Sequence, residues 1–235
     1  MRISPAVLAA MLLLAGCRAP APRAQPQAAV PPAVAGVQLY QVDAAQSLVT
    51  LRVYREGPLA GFGHNHIIAV HGLEGSIRWH PDPARSSLTV RFAVAAMSVD
   101  DVALRAAAGA DFSAEVSDSA RSGTRANMLG PRVLDAEHYP EVTLESERIG
   151  GSAAAPLLSL RVYVAGHDAL IEVPVHVERD AAGLRASGDI ELQQTALGLT
   201  PFAVMLGALR VADTIGAHFT IVARPVATGA AGPKP

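Results

Sequence analysis

The sequence predicts an all-β protein: one curled antiparallel sheet of seven or eight strands, closed into a barrel, with one or two short helices. Three observations lead there. Apolar and polar residues alternate with period two in seven separate segments, the pattern of strands with one buried face. Short turn signals separate those segments, which suits antiparallel neighbours. Aromatic residues make up only 4% of the chain, so the inward positions fall mainly to Val, Leu, Ile and Ala.

In chain order, the first segment is not structural. Residues 1–16, MRISPAVLAAMLLLAG, carry one early positive charge (Arg2) and an apolar run from Ala6 to Ala15. That run is too short to span a bilayer and reads as a signal peptide for export. Its end, Leu14-Ala15-Gly16-Cys17, resembles a bacterial lipobox, in which cleavage precedes a cysteine that is then acylated. Cys17 is the chain's only cysteine, so a disulfide does not explain it. Arg18 follows, not the aspartate associated with inner-membrane retention, which points to the outer membrane and its periplasmic side. Residues 17–36 read as the lipidated cysteine and a Pro/Ala/Gln-rich tether. One folded domain is expected over 37–225, followed by a disordered tail, 226–235.

The strands follow. Val49, Leu51 and Val53 alternate with Thr50, Arg52 and Tyr54. Leu88, Val90, Phe92 and Val94 alternate with Thr89, Arg91 and Ala93. Val142 and Leu144 stand among Thr143, Glu145 and Glu147. Leu158, Leu160, Val162 and Val164 alternate with Ser159, Arg161 and Tyr163. Ile171, Val173, Val175 and Val177 alternate with Glu172, Pro174, His176 and Glu178. Ile190 and Leu192 stand between Asp189, Glu191 and Gln193, and Phe219 and Ile221 among His218, Thr220 and Val222. Pro174, at an outward position, predicts an edge or bulge there. Turns are expected at 80–83, 150–151, 166–168 and 179–183.

Two segments leave the period. Residues 100–130 are Ala-rich and polar and read as one or two helices, with Asp100 or Asp101 as N-cap. Thr200-Pro201 opens Phe202-Ala203-Val204-Met205-Leu206 as a short helix, with Pro at its first position.

Read in order, the landmarks resemble a known family. Tyr40-Gln41-Val42-Asp43 precedes Ser47-Leu48-Val49-Thr50-Leu51-Arg52-Val53. His66 leads into Gly72-Leu73-Glu74-Gly75-Ser76-Ile77, and Met97-Ser98-Val99-Asp100 closes a strand. Residues 134–146, LDAEHYPEVTLES, resemble a D-x-x-x-Y-P-x-[IV]-T-F-x-S signature. Ala165-Gly166-His167-Asp168, Gly198-Leu199 and residues 207–213, GALRVAD, complete the series. The chain is similar to the YceI-like, polyisoprenoid-binding proteins. That resemblance implies an extended, lipocalin-like, eight-stranded antiparallel β-barrel in the periplasm, holding a long isoprenoid chain in its lumen. The pattern departs from the family at Gln46-Ser47, in the length of 100–130 and at 195–202.

The strand phases agree with such a lumen. No Lys, Arg, Asp or Glu falls on the inward phase of the clear strands, so a ligand there is held by apolar burial. The expected lining includes Phe62, Ile68, Phe92, Val94, Leu160, Val162, Val173, Val175, Phe202, Met205 and Phe219. For any one of them a plain core role competes with ligand contact.

Three of the chain's eight histidines fall in residues 61–72, GFGHNHIIAVHG. His64 and His66 point to one face of an extended segment, and His71 to the other. They serve as polar rim residues with His167, or as ligands for a metal or haem, which needs a third donor such as His167, His218 or Asp168. Catalysis has little support: no nucleophile elbow, zinc-protease motif, phosphate loop or inward carboxylate pair occurs. A formal net charge of −2 without a basic block argues against a nucleic-acid partner. The expected partners are an apolar lipid and, through Cys17, a membrane. A homodimer is left open.

Overall fold

The computed structural model describes residues 36–226. The signal peptide, Cys17, nearly all of the tether and the tail from residue 227 lie outside the described residues. In chain order the elements are β1 (Gln38–Val42), β2 (Leu48–Val53), β3 (Arg55–Glu56), β4 (His66–Val70), β5 (Glu74–Trp79), β6 (Ser87–Ala93) and β7 (Met97–Val99). Helices α1 (Val102–Ala107) and α2 (Asp118–Leu129) follow. The second half holds β8 (Glu141–Gly151), β9 (Pro156–Val164), β10 (His167–Pro174), β11 (His176–Arg179), β12 (Leu184–Gln193), β13 (Ala203–Val204), β14 (Leu209–Val211) and β15 (Thr214–Pro225). Each period-two segment is extended, the 171–178 one divided between β10 and β11 and the 88–94 one ending as a strand at Ala93.

The sheet is larger and more open than the expected closed eight-stranded barrel. Twelve strands share one sheet, ordered β10-β9-β8-β6-β5-β1-β15-β2-β4-β7, with β12 and β11 branching from β15; β13, β14 and β3 form a second. Strand β15 explains the surplus. Its twelve residues are long enough for one edge to pair β2 at Gly216–Thr220 and β1 at Ala223–Pro225, while β12 runs along the other edge. The hydrogen-bonded ladder does not close between β10 and β12. Pro174 ends β10, the interruption its missing N–H foretold. Val175 still donates its N–H to Pro156 O at 3.0 Å, opposite it in the β9 register, and the chain resumes as β11, which pairs β12.

Other joints are local. The side chain of Asp101 accepts from the N–H groups of Ala103 and Leu104, capping α1, and Ser117 caps α2. The 200–206 helix does not form. Its residues enter β13 and a single 3₁₀ turn, Met205–Gly207, in which Leu206 has φ of 56°. Edge pairing to β14 outweighs the Thr-Pro start signal. Strands β9 and β10 are joined by Ala165 and Gly166, at φ of 47° and 78°, the left-handed pair of a two-residue hairpin.

That turn yields a prediction. Ala165→Asn should raise stability by roughly 0.5–1 kcal/mol in urea unfolding, because Asn tolerates a left-handed φ better than Ala. Gly166→Ala should lower it by about 1–2 kcal/mol, since the added Cβ meets Tyr139 Cζ at 2.6 Å as well as an unfavourable φ. The opposite ranking would refute this account of the turn.

Candidate functional site

The inward faces of the curled sheet do not fill its interior. A cavity of about 260 Å³ is enclosed by Val49 and Leu51 of β2, Leu88, Val90 and Phe92 of β6, and the inward residues of β8, β9, β10, β12 and β15. Every lining residue is apolar. Lining positions that carry only a methyl group, Ala186 and Ala217, leave space on the β12–β15 side. The Phe219 ring lies over Gly188, its cross-strand partner, where a Cβ would sit 2.7 Å from the ring. A smaller pocket of about 70 Å³ beside Trp79 shares Ile77, Leu88, Leu158, Val175 and Ala186 with this cavity. At the other end lies a cavity of about 250 Å³, contiguous through Leu51, Met97, Leu134, Leu199 and Ile215. It reaches the surface at the exposed side chains of Arg55, Asn127 and Arg210.

The outer cavity has polar groups in its lining. His64 and His66 both line the outer cavity, with ring centroids 6.3 Å apart. Asp100 follows β7 with φ of 55°, which turns its side chain inward. Its carboxylate is fully buried and accepts from His66 Nδ1 at 2.6 Å, Arg105 Nη1 at 2.6 Å and the Ile67 N–H at 2.9 Å. Arg105 extends the network to Asn65 O and Ala114 O. Burial pushes the Asp100 carboxyl up, but the bonds from His66, the Ile67 amide and Arg105 together outweigh burial and hold it below the usual carboxylate range. The ionised carboxylate only accepts, so His66 Nδ1 is the donor, and Nε2 is the ring nitrogen left toward the cavity. Thr124 Oγ1 of α2 stands 3.5 Å from Nε2, and Asn127, one turn along, also lines the cavity.

The residues singled out from the sequence divide. Phe92, Leu160, Val162, Val173, Val175 and Phe219 line the inner cavity, and Ile68 and Phe202 the outer one. Three do not line either. Val94 is buried in a 3₁₀ turn after β6, where the strand period ends. Phe62 is 81% exposed and Met205 67% exposed, on turns that project beyond the opening. His167, exposed at the start of β10, packs against Gly198 instead of the cavity. His218 pairs with Asp189, Asp168 with Arg161, and His71 with Ser98. Among the described residues no group of three or more His, Cys, Asp or Glu can hold a metal ion, and Asp100 occupies Nδ1 of His66. The site residues missed in the sequence are Asp100, Arg105 and Thr124. The Asp100-Asp101 doublet was the available signal: only one of the two can cap α1.

Asp100→Asn leaves Arg105 buried without its counter-charge and should cost about 3–5 kcal/mol at neutral pH. Because the Asp100 pKa is depressed, its stabilisation is present above the ordinary value of about 3.9 and is lost as pH falls through the lower folded value. Urea unfolding of parent and variant should therefore differ strongly at pH 7 and converge in strong acid. Equal stability at pH 7 would overturn the role assigned to this carboxylate.

Comparison with known proteins agrees with this architecture. The YceI-like domain pattern matches residues 40–223. BcnA of Burkholderia cenocepacia superposes with a TM-score of 0.57 at 18% identity, covering 77% of this chain and 98% of that one. A polyisoprenoid binding domain from Saccharophagus degradans, implicated in plant cell wall breakdown, superposes with a TM-score of 0.55 at 10% identity, covering 80% and 98%. At such identities the likeness is one of fold. No curated protein is significantly similar in sequence. The family pattern spans almost the whole described domain, from the strand of Tyr40 to that of Ala223, and the chain belongs to the YceI-like family.

Proposed function

We propose that this protein binds a long apolar lipid, an isoprenoid or a similar chain, and sequesters or carries it in the cell envelope. The observation that carries this reading is a central cavity lined wholly by apolar residues and contiguous with the outer cavity that opens at the surface. A chain of methylene or isoprene units is held there by burial alone, at roughly 25 cal/mol per Å² removed from water. On this reading β1 with β2, β5, β6, β8, β9, β10 with β11, β12 and β15 act together as a lipocalin-like, eight-stranded wall. The polar end of the ligand lies at His66, whose Nε2 stands beside Thr124 and Asn127 at the opening. Binding, not catalysis, is the function this geometry serves. The family name of the Saccharophagus degradans domain supports the ligand class.

We also propose that residues 1–16 direct export and that Cys17 is acylated, holding the domain on the periplasmic side of the outer membrane. One acyl chain anchors only marginally, so the several chains of a processed lipobox cysteine are what make the attachment stable.

Mass spectrometry of protein purified from its native membranes should reveal an extractable apolar ligand. Ala186→Phe and Ala217→Phe, which project bulk into the lumen, should weaken binding of a fluorescent apolar probe at least tenfold without abolishing folding. Unchanged probe binding in both variants would remove the lumen as the site. Separately, the parent should carry an acyl mass on Cys17 and resist extraction from membranes by alkaline carbonate, and Cys17→Ser should lose both; a parent with no acyl mass would reject the anchor.

A further inference from the structure

Three large apolar side chains stand in water at the open end of the lumen. Phe62 is 81% exposed, Met205 67%, and Leu206 fully exposed. They sit on two neighbouring turns. Strand β3 pairs β14 through Glu56–Arg210 and Arg55–Val211. The Leu59 N–H then donates to Ala208 O at 2.9 Å, which ties the 57–63 turn to the 205–208 turn. Gly57, at φ of 101°, lies close under Ala208 O, where a Cβ would clash. Met205 and Leu206 adopt φ of 50° and 56°, a conformation that is unfavourable for side-chain-bearing residues. The backbone accepts that strain while holding both side chains away from the protein. Strain of this kind, kept at a rim, is where a function is to be sought.

The surroundings identify what the turns face. Gly63, Val204 and Leu209, which flank the exposed tips in the chain, line the outer cavity, so the tips stand at its edge. Residues 54–65, 130–135 and 199–213 carry Arg55, Arg132 and Arg210 and the carboxylates Glu56, Asp135 and Asp213. Asp135 is held by His138 and Asp213 by Thr195, and among the described residues Arg55 and Arg132 pair with no carboxylate. Glu56 pairs with Arg210 at 3.1 Å. The Arg55 guanidinium bonds to Gly63 O, and Arg132 bonds to Ala203 O and stacks on Phe202 at 4.9 Å. Two guanidiniums without carboxylate partners, beside exposed apolar tips, suit an anionic bilayer surface, where apolar side chains enter the headgroup boundary and cations meet the phosphates.

We propose that this end of the protein docks on a lipid bilayer, inserting Phe62, Met205 and Leu206, so that the ligand passes between membrane and lumen without crossing water. The proposal rests on the lipid-binding reading of the lumen, and adds a second membrane contact independent of Cys17.

The test uses the full chain with Cys17→Ser, so that acylation does not mask docking. Co-sedimentation is measured with vesicles of phosphatidylethanolamine containing phosphatidylglycerol, alongside loading of a fluorescent apolar probe in the absence of vesicles. Phe62→Ser/Met205→Ser/Leu206→Ser should weaken vesicle binding at least tenfold while probe loading stays unchanged. Arg55→Gln/Arg132→Gln should weaken binding to these vesicles and leave the residual binding to phosphatidylcholine vesicles unaffected. Vesicle binding by the triple variant equal to the parent overturns the proposal. So does light scattering that shows a parent dimer, lost in the triple variant, without any vesicle binding, which would make the patch a contact with a second copy. Failure of probe loading in the parent would instead reject the lumen reading, and vesicle binding would still report on the docking surface.

Discussion

The buried carboxylate of Asp100 joins the sheet to everything that shapes the open end of the lumen. It takes the Ile67 N–H from β4, the Nδ1–H of His66 and one arm of Arg105, while its own N–H donates to Ile67 O. Arg105 carries the connection on to Asn65 and Ala114, so the segment leading into β4 and the loop after α1 meet at one ion pair. A charge in this position is tolerated only because each of its oxygens is met by donors. The same geometry sets which nitrogen of His66 faces the cavity. The rim chemistry is thus a consequence of how one carboxylate is satisfied.

Behind the rim the governing constraint is volume. Strands β6, β9, β10, β12 and β15 present Val, Leu, Ile, Ala and two Phe to the interior. Curling the sheet brings these faces around a space they do not fill. An apolar void of this size forfeits dispersion contacts, which a folded domain ordinarily avoids. Occupation by an apolar chain restores them, and nothing on the lining asks for a charged or hydrogen-bonding group. The interruption at Pro174 and the branching at β15 show that enclosure is achieved without a continuous ladder: Val177 donates its N–H to Ala154 O at 2.8 Å beside the gap.

Most of the sheet was legible in the sequence because period-two alternation records burial directly, one residue at a time. Val162 and Val173 could be assigned to the interior from their neighbours alone, and Pro174 to a break. The landmarks 134–146 and 165–168 meet in space, the Tyr139 ring lying against Gly166, which accounts for their ordered spacing. Short pieces were not legible. Strands β3, β13 and β14 have two or three residues each, too few for any period, and β13 displaced a helix signal that was locally sound. Phe62 and Met205 failed as lumen residues for a related reason: hydrophobicity says that a side chain avoids water in the monomer's interior or elsewhere, and it does not say which.

By itself, the sequence determined the all-β class, the inward phase of the long strands, the exclusion of charge from that phase and the position of His66 beside the sheet. These are properties of the alternation of side chains along a strand, and they survive any arrangement of the strands. Only the tertiary structure decided that twelve strands share the sheet, that the interior stays open, and that Asp100 and Thr124 meet at His66 with Arg105 held by the same carboxylate. Those outcomes depend on contacts between residues far apart in the chain, up to 58 positions for Thr124 and His66. No local pattern encodes such a distance, because it is set by the curl of the sheet and the packing of the helices across its open end.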